Sequence, residues 1–147
     1  MLAQWFSSPA RLVFIAMLTL SAGQPVNAAQ SATEGNPAVC SGTPTEIGNV
    51  LAPEVATAED VRAFREAVTP LRAELDALCK RDKSAFKLFK SKAKQVVFEM
   101  SAGATEPTAY LKDGQLVVEF YGGPFDARQF RRIVKKVLQG KPVPLND

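Results

Sequence analysis

The stretch FDARQFRRIVKKVLQG, residues 125–140, decides the fold. Phe130, Ile133, Val134, Val137 and Leu138 recur at intervals of three and four, which places them on one stripe of an α-helix. Its ends are written out as well. Asp126 can accept the backbone N–H of Gln129 while Gln129 reaches back, a capping box, and Phe125 can staple onto Phe130. Gly140 supplies a left-handed stop with Pro142 beyond it. The opposite face carries Arg128, Arg131, Arg132, Lys135, Lys136 and Gln139. A helix this one-sided needs an apolar partner, and the segments just before it supply one.

Those segments alternate with a period of two. Residues 95–100, 108–112 and 115–121 read as strands, and Asp113-Gly114 between the last two is the pair preferred in a type I′ hairpin turn. Counting back from that turn pairs Lys112 with Gln115, Leu111 with Leu116, Tyr110 with Val117, Ala109 with Val118 and Thr108 with Glu119. Ala109, Leu111, Leu116, Val118 and Phe120 then form the seat for the helix stripe, joined by Val96, Phe98 and Met100. Tyr110, Val117, Glu119 and Tyr121 face the other way, with Val97 and Glu99. That second face is more apolar than water requires, so a long upstream helix is expected to cover it, the alternative being a partner-binding surface.

The upstream helix begins at a second capping pattern, Thr57-Ala58-Glu59-Asp60, after which Val61, Phe64, Val68, Leu71, Leu75 and Leu78 keep one register. Because the register passes through Pro70 without a skip, one long kinked helix is expected, the alternative being a second helix capped at Thr69-Pro70. Asp82 can cap a further helix with Phe86, Phe89 and Ala93 on one face and Lys83, Lys87, Lys90 and Lys94 on another. The fold class is therefore α+β: a long N-terminal helix, a second basic helix, a small three-stranded antiparallel meander and a C-terminal amphipathic helix packed on the sheet.

Residues 1–29 read as a secretory signal peptide: Arg11, an apolar run from Leu12 to Leu20, then Pro25 and small residues at Val26-Asn27-Ala28. The run is shorter than the roughly 20 residues a membrane span needs. Residues 30–56, rich in Ser, Thr, Gly and Pro, read as a flexible or extended arm with room for one short turn or strand, residues 57–141 as the single domain, and 142–147 as a tail. Both cysteines, Cys40 and Cys79, follow the signal, and an oxidising destination implies that they pair.

Charge is lopsided. Lys80 to Lys94 holds seven bases and one acid, whereas Gln30 to Leu78 holds eight acids and three bases. The chain has no histidine, which excludes Ser-His and Cys-His catalysis and most zinc sites. With no phosphate loop or nucleophile elbow either, no catalytic residue, metal or cofactor is assigned. Glu99 and Glu119 are the remaining catalytic candidates. With the strands in sequence order they stand two strands apart, about 9.6 Å, near the spacing of an inverting glycosidase pair.

Pro107-Thr108, then Leu111-Lys112-Asp113-Gly114, Gly122-Gly123 and the amphipathic helix resemble the closing strand, strand, helix portion of thioredoxin-like domains. That resemblance implies a degenerate member of the family acting in thiol-disulfide or envelope assembly processes. No C-x-x-C is present, and no catalytic residue is carried over. The residues themselves favour a small exported, non-enzymatic binding or accessory protein, periplasmic or secreted, with no transmembrane segment in the mature chain. Its partner is expected to be a protein or an anionic envelope component rather than nucleic acid, met through Lys83, Lys87, Lys90, Lys94, Arg128, Arg131, Arg132 and Lys135.

Overall fold

A computed structural model describes residues 38–143, so the expected signal peptide and the end of the expected tail lie outside the described residues. Seven elements follow in order: β1 (Thr45–Ile47), α1 (Ala58–Arg81), α2 (Lys83–Lys92), β2 (Gln95–Met100), β3 (Thr108–Lys112), β4 (Gln115–Phe120) and α3 (Ala127–Leu138). The class is α+β, with three helices on a four-stranded sheet.

The sheet is mixed, which corrects the expected antiparallel meander. Strand order is β1-β2-β4-β3; β1 and β4 both run parallel to β2, and only β3 and β4 are antiparallel. The hairpin register agrees with the count from Asp113-Gly114 at every pair from Thr108–Glu119 to Lys112–Gln115. What differs is where the hairpin docks. Val96-Val97-Phe98 and Leu116-Val117-Val118 are unbroken apolar runs, the composition of central parallel strands, whereas β3 alternates, exposes Tyr110 and Lys112 and takes the edge. β1 is the fourth strand. It is held by the Val96 N–H donating to Pro44 O, the Gly48 N–H to Phe98 O and the Met100 N–H to Asn49 O.

All three helices pack on one face. Phe64, Val68, Leu71 and Leu75 of α1 join Phe89 of α2 and Phe130, Val134 and Leu138 of α3 in one core with Val96, Phe98, Leu116, Val118 and Phe120. Each such side chain contributes about 1.5–3 kcal/mol relative to exposure. α1 therefore does not cover the second sheet face as expected; its stripe needs the same apolar seat as that of α3, and the two helices share it. Arg72 of α1 lies 5.6 Å over the Phe98 ring on this inner side.

Local chemistry sets the helix limits. Thr57 and Asp60 form the reciprocal capping box of α1. The chain stays helical through Pro70, which is exposed, as is Glu66 four residues earlier, so water can satisfy the carbonyl that lacks a donor. Asp82 closes α1 with its N–H on Leu78 O and opens α2 with its side chain on the Ala85 N–H. Asp126 accepts the N–H groups of Arg128 and Gln129, but its own N–H donates to Glu106 rather than to Gln129, so the expected box is only half formed. Phe125 stacks edge-on against Phe130 at 6.0 Å, and Gly140 has φ 69°.

The Cys40–Cys79 disulfide ties the turn at residues 39–43 to the end of α1, with Cα atoms 5.5 Å apart. The Cys40 N–H donates to Asp76 Oδ1 at 2.6 Å.

Candidate binding surfaces

Two surfaces stand out, one basic and one acidic. The basic one is α2. Its buried side is Ala85 and Phe89, which fixes Lys83, Lys87 and Lys90 outward, and Lys94 continues the exposed row past the helix end. A surface depression is lined by Lys83, Ser84, Lys87 and Leu88. Among the described residues no carboxylate forms an ion pair with any of these four lysines. Lys90 reaches the Ser41 carbonyl at 3.5 Å, beside the disulfide.

The basic residues of α3 are divided. Arg131 pairs with Glu74 of α1, and Lys135 pairs with Asp82 at the α1–α2 junction. Both serve helix packing. The Lys135 ammonium and the Ala85 N–H hold the Asp82 carboxyl below the usual carboxylate range. Arg128 and Arg132 remain exposed. Lys92, which sequence reasoning did not single out, donates to Leu138 O at 2.6 Å and so joins the end of α2 to the end of α3.

The acidic surface lies on the sheet face opposite the described helices. Parallel pairing sets Glu99 directly beside Glu119, one strand step apart, so the two-strand spacing expected for an inverting pair is absent. Asn49 Nδ2 donates to Glu99 Oε1 and the Tyr110 hydroxyl donates to Glu119 Oε1, each at 3.3 Å. Burial, then the charges of Glu119 and Glu99, push the Tyr110 hydroxyl pKa up. On the same face Gln115 donates to Gln95, and Gln95 to Glu46. Glu46 and Asn49 were not foreseen, because β1 is too short to show a period.

No family model, no curated protein and no solved structure matches this chain. The residues that resemble a thioredoxin-like closure do form a strand, strand, helix unit, with Pro107 ahead of the edge strand β3. The two cysteines are bonded to each other across 39 residues. Among the described residues no His, Cys, Asp and Glu cluster could hold a metal, and no helix is long and apolar enough to cross a membrane.

Proposed function

We propose that this protein is a small exported binding module without enzymatic activity, and that it meets an anionic envelope surface through the lysine row of α2. The row itself carries the reading. Lys83 sits in the first turn of α2, a turn with no acid, against the sign the helix dipole favours, and lysines spaced by three and four repel one another. The dipole favours only Lys90, in the last turn; the like-charge spacing works against the whole row, and none of the four lysines is relieved by an ion pair among the described residues. Local rules broken together on one exposed face fit a surface shaped by a partner. The disulfide accords with an oxidising compartment.

The test is cosedimentation with phosphatidylglycerol vesicles against phosphatidylcholine vesicles over a salt series. Near an anionic surface each lysine contributes about 1 kcal/mol, so Lys83→Glu with Lys87→Glu should weaken binding by about 25-fold or more. Added salt should weaken wild-type binding in the same direction. Retention that ignores both salt and the substitutions would overturn the proposal.

A further inference from the structure

The open edge of the sheet is complementary to itself. β3 is the last strand in the order β1-β2-β4-β3, and among the described residues no strand lies beyond it. Asp113 and Gly114 have φ 50° and 78°, a two-residue turn, so the flanking Lys112 and Gln115 exchange both backbone hydrogen bonds, as do Tyr110 with Val117 and Thr108 with Glu119. The N–H and C=O groups of Ala109 and Leu111 therefore point away from β4, and no described backbone group meets them from that side.

The two edges of the sheet are guarded differently. β1 has three residues, held between Pro44 and Gly48. β3 has five, pairs with β4 without a bulge, contains no proline, and turns Ala109 and Leu111 rather than a charge toward the core. An edge left in this state is a template for a further strand. The layer above it is apolar too. Arg131 and Lys135 reach α1 and the α1–α2 junction, so Ile133, between them in sequence, stands on the opposite flank of α3, the helix that packs over β3. Ile133 and Leu111 are only half-buried, and Tyr110 on the other side of the strand is 37% exposed.

We infer that two copies of this chain join through β3, antiparallel about a twofold axis at Tyr110, so that their sheets become one. Hydrogen bonding selects the register. With Tyr110 opposite the partner's Tyr110, each Ala109 faces a Leu111, and every outward N–H of one strand meets an outward C=O of the other. Centred on Ala109 instead, Leu111 would face Pro107, which has no N–H; centred on Leu111, Ala109 would face Asp113 in the turn. Charge agrees with the first choice. It sets the partner's Lys112 opposite Thr108, in the row that continues through Glu119 to Glu99. That ammonium reaches Glu119 across one small side chain, two strand steps or about 9.6 Å between backbones, within the combined length of the Lys and Glu side chains. On the helix side, Ile133 and Leu111 of the two copies close over the joint. The lysine row of α2 takes no part, so vesicle binding and pairing of copies can fail separately.

Sedimentation equilibrium of the purified protein, from micromolar to millimolar concentration, should show a monomer–dimer equilibrium. Lys112→Glu turns an attraction into a repulsion on both sides of the axis, at an exposed position, and should weaken the dimer by roughly 10-fold or more. Oxidation reads the register separately, since both native cysteines are already bonded to each other. Tyr110→Cys has its own counterpart directly opposite, about 4.5 Å away between Cα atoms, and should crosslink into a dimer. Lys112→Cys lies about 13 Å along the strand from its counterpart and should not. A monomer at every concentration, a dimer indifferent to Lys112→Glu, or crosslinking no better at position 110 than at 112 would each overturn the inference.

Discussion

At the scale of single residues, Gly122 shows how a backbone position can matter more than any side chain. Its φ is 142°, and a Cβ would meet Phe64 N at 2.9 Å and the Ala63 carbonyl carbon at 3.2 Å. Those are backbone atoms of α1, which cannot rotate aside. Gly122→Ala should therefore destabilise by about 1–3 kcal/mol, whereas Gly103→Ala, where nothing lies within 4 Å and φ is ordinary, should move the urea midpoint little. The glutamate pair predicts the opposite sign. Gln at position 119 keeps an acceptor for Tyr110 and removes the repulsion from Glu99, so Glu119→Gln should stabilise by a few tenths of a kcal/mol in the same denaturation assay. A loss of stability there would mean that the charge of Glu119 serves the fold.

At the scale of elements, β1 depends on the disulfide more than on its own sequence. Three residues between Pro44 and Gly48 cannot hold an edge alone, and Cys40–Cys79 fixes the chain a few residues upstream. Replacing both cysteines by serine should cost about 3–4 kcal/mol for a closed loop of this length. The Gly48 and Met100 amides, which tie β1 to β2, should then exchange faster with deuterium before those between β2 and β4 do. Features of this kind separate what the chain shows locally from what it does not. The α3 stripe, the capping residues Thr57, Asp82 and Asp126, and the hairpin register all follow from neighbours within a few positions, and each was legible. The order of the strands was not, because pairing β2 with β4 leaves no mark within either segment beyond the unbroken apolar run. For the binding surfaces the same division holds. Lys83, Lys87 and Lys90 stand outward from helical spacing alone, but the use of Arg131 and Lys135 as struts required Glu74 and Asp82, more than fifty residues away, to be placed beside them.

At the scale of the whole molecule, stability against pH is set by the helix starts and by two tyrosines. Each described helix has an aspartate at its cap or in its first turn that is held below its usual range. Hydrogen bonds from Thr57 do this for Asp60, the Lys135 ammonium for Asp82, and the backbone N–H groups of Gln129 and Arg128 for Asp126. A carboxyl depressed in the folded state contributes stability that is complete above its unfolded value, about 3.9, and is lost as pH falls through the folded value. In that window the unfolded chain binds more protons than the folded one at each of these three groups, and the three described helices weaken together. At the alkaline end, burial and a nearby carboxylate raise Tyr110 and Tyr121, Glu119 acting on the first and Asp60 on the second. A raised phenol contributes stability below its unfolded value, about 10, and loses it as pH rises through the folded value. With no histidine in the chain, no side chain titrates by default between these limbs. Urea unfolding followed from pH 2 to 11 should thus show a plateau between about pH 5 and 9 with a fall at each side. Asparagine at positions 60, 82 and 126 retains a capping oxygen but not the titration, so the triple variant should start from a lower plateau and lose most of the acid limb. An acid limb unchanged in that variant would place the titrating groups elsewhere, and a step near pH 6.5 would contradict the histidine-free account of the plateau.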